Sequence, residues 1–183
     1  MGQRVNKITT RTGDQGTTGL ANGARLEKDS PPILAIGAVD ELNSLLGFVL
    51  AHDVPEEIRT CLLEVQQHLV EIGAELRLPG RPLVSDANVS RLEAAVESFN
   101  RRLEPSREFV LPGGSLVSAA CHVARAVCRR AECQVVTLRS VDPVKEDRLI
   151  PYLNRLSDLL FVIARLLNNS SAMPETLSKS RRP

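Results

Sequence analysis

In 183 residues the chain has no tryptophan, one tyrosine and four phenylalanines. A β-sandwich or barrel usually draws on aromatic and β-branched side chains, so this scarcity beside a large stock of Leu, Val and Ala favours helices. The four cysteines, Cys61, Cys121, Cys128 and Cys133, form no C-x-x-C pair, and Cys121 and Cys128 fall inside one strongly helical segment, which fits a reducing cytosol. No stretch reaches 18 uncharged apolar residues, and the first residues lack an apolar core, so neither a membrane span nor a secretion signal is expected. Charge of one sign is missing too. Lys and Arg total 23 against 22 Asp and Glu, a net charge of +1, so no global field draws the chain to nucleic acid or an anionic membrane. Any anion site must be local.

What is present is a globular composition, 43% hydrophobic and 25% charged, in a length suited to one domain that buries roughly 70% of its unfolded surface. Residues 1–32 are rich in Gly, Thr and charge and lack a sustained period. They read as a phosphate-binding segment of the same domain. Apolar residues at three- and four-residue intervals then predict helices over about 33–51, 55–77, 87–103, 115–138 and 146–169. Pro55 suits the first turn of the second, Ser85 or Asp86 caps the third, Ser115 caps the fourth, and Asp142-Pro143 ends that one. Residues 33–169 are thus expected to form an all-α bundle of five helices, with 170–183 a polar, mobile tail.

The densest chemical signal is Thr9-Thr10-Arg11-Thr12-Gly13-Asp14-Gln15-Gly16-Thr17-Thr18-Gly19. Glycines let the backbone turn its N–H groups toward a ligand, and threonine hydroxyls with Arg11 supply donors for phosphate oxygens. It is not a Walker A loop, because no Gly-Lys-Ser/Thr follows. A ligand-free turn is the alternative. Lys7, Arg25 and Lys28 can add cations or remain solvated. On the fourth helix, at about 100° per residue, Ser118, His122, Arg125, Arg129 and Glu132 share one arc. That is either an anion clamp or the outer face of an amphipathic helix. His122 suits a hydrogen-bonded helix residue better than a metal ligand, and His52 and His68 lack the Glu-x-x-His spacing of a di-metal centre. Asp40, Asn43, Ser44 and Gly47 on the first helix, and Asn154, Asp158, Phe161 and Arg165 on the last, form two more polar stripes. They read as solvated faces, a shared pocket or a subunit seam. Phe109, in an apolar patch before the fourth helix, is either packing or aimed into a site.

Six motifs in order, Thr10-Arg-Thr-Gly-Asp-Gln-Gly16, Gly23-Ala-Arg25-Leu-Glu-Lys28, Val39-Asp-Glu-Leu-Asn-Ser44, Phe109-Val-Leu-Pro-Gly-Gly114, His122-Val-Ala-Arg-Ala-Val-Cys-Arg-Arg-Ala-Glu132 and Tyr152-Leu-Asn-Arg-Leu-Ser-Asp158, resemble the PduO-type ATP:cob(I)alamin adenosyltransferases. The resemblance runs from about residue 7 to 168. Cys133 departs from it, where relatives often carry another Arg. It implies a ferritin-like five-helix bundle that assembles as a cytoplasmic homotrimer, with ATP and the corrinoid between neighbouring subunits. The implied reaction moves the 5′-deoxyadenosyl group of ATP to the cobalt of cob(I)alamin and releases triphosphate, with Mg²⁺ accompanying ATP and no protein ligand assigned to it.

By the same resemblance Thr9, Thr10, Arg11, Thr12, Gly13, Asp14, Gly16, Lys28, Arg129, Glu132 and Asn154 lie on the ATP side. Asp40, Phe109, His122 and Arg125 lie on the cobalamin side, with Asp40 and Arg125 as an ion pair across the seam and Phe109 filling the lower axial space of the cobalt. Arg125, Arg129, Asn154, Phe109 and Asp40 carry the catalytic roles. A reductase and an adenosylcobalamin-dependent client enzyme are the implied protein partners, and neither nucleic acid nor a membrane is. A non-catalytic ATP- or corrinoid-binding regulator or carrier on the same fold, and a purely structural bundle, are the competing readings.

Overall fold

A computed structural model describes residues 9–20, 22–78, 82–105, 108–143, 148–171 and 173–178. A short hairpin, β1 (Thr17–Gly19) paired antiparallel with β2 (Arg25–Glu27), precedes five helices: α1 (Pro31–Leu50), α2 (Glu56–Arg77), α3 (Asp86–Asn100), α4 (Leu116–Val141) and α5 (Leu149–Ser170). The all-α bundle read from the sequence is therefore the architecture. The hairpin was not expected, because three-residue strands are too short to show alternation.

The helix ends follow local chemistry. Ser85 closes a reciprocal capping box with Asn88 at the start of α3, and the Ser115 hydroxyl accepts from the Ser118 N–H at the start of α4. Pro55 occupies the position before α2 rather than its first turn. Pro151 sits in the first turn of α5, where its missing N–H costs no helical hydrogen bond.

α4 packs on both α1 and α5. Small buried residues on α4, namely Ala120, Cys121, Ala124, Cys128 and Ala131, let the helices approach closely. The Cys121 and Cys128 thiols donate to the carbonyls of Leu160 (3.3 Å) and Leu153 (3.2 Å). Burial pushes the Cys121 thiol up to about 12 and the Cys128 thiol higher still, so both stay protonated packing residues. α5 buries Leu149, Leu153, Leu156, Leu160, Ile163 and Leu167 along its stripe. His68 joins three helices: its Nδ1 lies 3.0 Å from the Tyr152 hydroxyl on α5 and its Nε2 2.9 Å from the Asn88 amide on α3.

By length and composition α1 is apolar enough to cross a membrane. Here Ala35, Val39, Leu42, Leu46 and Val49 are buried in the protein core, which is the packing of a central bundle helix.

The C-terminal residues differ from the mobile tail expected after residue 169. Val110 and Leu177 form an antiparallel bridge, the Leu111 N–H donates to the Thr176 carbonyl (2.8 Å), and the Ser178 N–H donates to the Phe109 carbonyl (2.8 Å). Composition marks residues 173–178 as polar and omits the buried partners, Arg165 and Asn168, that hold them in place.

Candidate functional site

Two groups of polar side chains lie outside the core. The first is the Thr9–Lys28 segment, held mainly by itself. Arg25 donates from Nη2 to the Thr12 carbonyl (2.6 Å) and to the Thr17 hydroxyl (2.6 Å), and the Lys28 N–H donates to the Gly16 carbonyl (2.8 Å). Arg25, offered by the sequence as an extra cation, thus braces the loop. Gly16 at φ +90° supplies the left-handed turn that only glycine adopts at low cost, and Arg11 also has positive φ, at +60°. The Thr10 and Thr12 hydroxyls are 3.0 Å apart and exposed. Lys7 lies outside the described residues.

Lys28 lies against Gly13, where an added Cβ would stand 3.3 Å from Nζ. It also lines a cleft of about 530 Å³ with Thr18, Gly37, Ala38, Glu41 and Arg130. An Arg130–Glu41 ion pair crosses this cleft between α4 and α1. The sequence reading passed over both residues, since pairing 89 positions apart leaves no periodic trace.

The second group runs down α4 and does not behave as one face. Its first members are covered: Ser118 is 1% exposed and His122 4%, so the solvated-face reading is wrong for them. The Ser118 hydroxyl lies within hydrogen-bond distance of the Gly113 (3.0 Å) and Ala164 (2.9 Å) carbonyls. Burial lowers the pKa of His122, the Arg125 charge lowers it further, and Glu175 opposes both. The imidazole is therefore held neutral. Arg125 places its guanidinium 5.9 Å from the Phe161 ring centroid.

Three buried polar atoms, His122 Nδ1, Arg125 Nε and Asn43 Oδ1, have no hydrogen-bond partner among the described residues. Buried polar atoms are nearly always satisfied, so these three atoms are exceptions within this chain.

Further along α4, Arg129 is exposed and makes no hydrogen bond or ion pair among the described residues. Glu132 accepts from the Asn154 amide (3.1 Å), whose oxygen in turn accepts from Arg155 (2.7 Å). The structure thus joins Glu132 and Asn154 directly. Asp40 accepts from Arg77 (2.9 Å) within this chain, a partner absent from the sequence reading, while Arg125 is not its partner here. Phe109 is 86% exposed, at the mouth of α4.

The family model described as cobalamin adenosyltransferase matches residues 8–167. The chain belongs to the cobalamin adenosyltransferase family. It is 46% identical over 183 residues to a cobalamin adenosyltransferase of Cupriavidus metallidurans, covering 100% of this chain and 99% of the relative. It is 40% identical to the corrinoid adenosyltransferase PduO of Salmonella typhimurium, covering 86% of this chain and 48% of that longer protein. Among solved structures, a phenylalanine-to-alanine variant of a PduO-type ATP:corrinoid adenosyltransferase from Lactobacillus reuteri, complexed with cobalamin and ATP, superposes with a TM-score of 0.89. That match has 31% identity and covers 95% of this chain and all of the other. An arginine-to-lysine variant of the same bacterium's enzyme, complexed with ATP, gives a TM-score of 0.85.

Against this cobalamin adenosyltransferase frame, the six sequence motifs fall on the two polar groups just described. The first two motifs lie in the Thr9–Lys28 segment, and the other four lie on α1, the Phe109 turn, α4 and α5. Among the described residues no cluster of three His, Cys, Asp or Glu side chains can cage a metal ion.

Proposed function

We propose that this chain transfers the 5′-deoxyadenosyl group of ATP to the cobalt of cob(I)alamin, giving adenosylcobalamin and triphosphate. The observation that carries the proposal is the near full-length likeness to a protein complexed with cobalamin and ATP together. Co(I) is itself the nucleophile: its electron pair attacks C5′, the C5′–O bond breaks, and that bond's electrons leave with triphosphate. No serine, cysteine or histidine need be activated, which agrees with two thiols buried as packing and an imidazole held neutral.

The protein's tasks are to align C5′ with the cobalt and to balance charge on the leaving group. Thr9, Thr10, Arg11, Thr12, Gly13, Asp14, Gly16 and Lys28 cradle the phosphates, and exposed Arg129 is free to add its fork to them. Glu132 and Asn154, joined at 3.1 Å, form a polar pair for the nucleoside end. No protein side chain is assigned to Mg²⁺, which would be held by the phosphates of ATP and would supply charge neutralisation there.

On the corrinoid side stand Asp40, His122, Arg125 and Phe109. Cob(II)alamin is hard to reduce while a base or water occupies its lower axial position. An exposed phenyl ring placed there excludes that ligand and brings Co(I) within reach of a reductant. The orphaned atoms of Asn43, His122 and Arg125 support a site completed by a neighbouring subunit, and we assign the active form as a cytosolic homotrimer. Asp40 then exchanges Arg77 for Arg125 of a neighbouring copy. A reductase and an adenosylcobalamin-dependent enzyme complete the expected partners.

Mixing the protein with Mg-ATP and chemically reduced cob(I)alamin, and following the visible spectrum, tests this directly. Conversion to adenosylcobalamin is expected. Binding without conversion would make the protein a carrier or regulator, and failure to bind ATP would leave a structural bundle. Sedimentation should give a trimer, and an active monomer would overturn the shared site.

A further inference from the structure

We infer that the C-terminal segment 173–178, latched by Arg165 and Glu175, is a positioning strap that sets the direction of Phe109. This rests on the corrinoid role just proposed for Phe109. At 86% exposure that side chain has almost no packing of its own, so its direction is set by its backbone. Two hydrogen bonds fix that backbone to the strap. The Phe109 carbonyl accepts from the Ser178 N–H (2.8 Å), and the Leu111 N–H donates to the Thr176 carbonyl (2.8 Å) around the Val110–Leu177 bridge. Successive side chains of an extended segment point to opposite faces, so this register decides which face Phe109 takes. A slip of one residue would turn the ring away.

The strap itself is anchored by buried charge. Arg165, 8% exposed, donates from Nε to Glu175 Oε1 (2.7 Å) and from Nη2 to Glu175 Oε2 (3.1 Å), a two-point fork of the kind that fixes orientation as well as distance. The same Nη2 reaches the Glu104 carbonyl (3.0 Å) beyond α3. Asn168, 3% exposed, accepts from the Ser115 N–H (3.0 Å) and donates to the Met173 carbonyl (3.0 Å). One α5 amide therefore ties the start of the strap to the far end of the Phe109 turn.

The test uses the full chain and compares adenosylcobalamin formation from pre-reduced cob(I)alamin with formation from cob(II)alamin plus a reduced flavin, which supplies one electron to each Co(II). Phe109→Ala should lower the cob(II)-to-cob(I) rate ratio about tenfold. Ser178→Pro, which removes the N–H held by Phe109 and restrains Leu177 beside it, and Glu175→Gln, which weakens the latch, should each lower it about threefold or more, with cob(I) rates within about twofold of wild type. Ser178→Ala should leave the ratio alone. Electron paramagnetic resonance of cob(II)alamin bound with ATP should show more axially ligated cobalt in the first three variants. If Ser178→Pro and Glu175→Gln keep the wild-type ratio while Phe109→Ala lowers it, or lower both rates equally, the strap is only a structural dock and the inference is overturned. If Phe109→Ala itself keeps the ratio, the cobalt role of Phe109 fails and the strap's role with it, whereas cob(I) conversion still decides the transferase reading independently.

Discussion

The Thr9–Lys28 loop and the Phe109–Ser118 turn both present proposed functional groups on glycine-containing backbone, yet they are held in opposite ways. The first is braced from within, by Arg25 on Thr12 and Thr17 and by Lys28 on Gly16, and its side chains are largely exposed. The second is tied to buried groups of another helix and the C-terminal strap: Ser118 to Ala164, Asn168 to Ser115, Arg165 to Glu175. A phosphate cradle must admit and release a charged, flexible ligand with each turnover, so low intrinsic order suits it. A ring that excludes an axial ligand must be in place beforehand. The Phe109 turn is prebuilt by ties within one chain, whereas the Thr9–Lys28 loop is braced only by its own residues.

Two alanine substitutions at positive φ should expose this contrast most strongly. At Gly114, φ +90°, a Cβ would lie 2.0 Å from Asn168 Oδ1, so the buried tie must break or shift. Gly114→Ala should cost about 2 to 4 kcal/mol. At Gly23, φ +85°, nothing lies within 4 Å of the added Cβ. Only backbone strain remains, so Gly23→Ala should cost about 1 kcal/mol. Thermal unfolding separates the two, at about 2 to 4 °C per kcal/mol for a chain of this size. Equal shifts would mean the Phe109 turn is no better anchored than the loop.

The next largest effect is on ATP. Arg129 is exposed and without a partner among the described residues, so Arg129→Ala should leave the melting temperature unchanged. Its kcat/KM for ATP should fall by the equivalent of about 1.5 to 3 kcal/mol, the loss of a charged phosphate contact. A wild-type kcat/KM would remove Arg129 from the nucleotide site.

Much of this was legible in the residues. Leucine spacing gave all five helices, and Ser85 and Ser115 marked two starts correctly. Errors arose where the deciding partner is distant. The angular arithmetic put Ser118, His122 and Arg129 on one arc of α4 but says nothing of what covers it; α5 and the strap bury the first two and leave the third in water. Arg165 read as part of a polar stripe because only the fold brings Glu175 and the Glu104 carbonyl to it. The hairpin had a usable signal in Asn22-Gly23, whose Asn side chain accepts from the Ala24 N–H (3.0 Å). Glu132 with Asn154 came from the family motifs, and their 3.1 Å contact lies beyond what spacing alone shows.

A smaller effect tests how deeply His122 is buried between α4, α5 and the strap. His122 faces Ser118 and Arg125 from its own helix, Phe161 and Arg165 from α5, and Glu175 from the strap. Its folded pKa is lowered below the ordinary 6.5. Between the two values the unfolded chain takes up a proton that the folded one refuses. The His122 contribution is therefore full above pH 6.5 and is lost as pH falls below it. His122→Gln should flatten the acid side of the stability profile, measured by denaturant unfolding at several pH values. An unchanged profile would mean that the imidazole is not held neutral.

The most direct measurement of the central claim is product stoichiometry in a single mixture of enzyme, Mg-ATP and pre-reduced cob(I)alamin, with phosphate products separated by ion exchange. Attack at C5′ predicts adenosylcobalamin and intact triphosphate in equal amounts. Phosphate and diphosphate appearing instead, or ATP consumed without a cobalt–carbon bond, would contradict it.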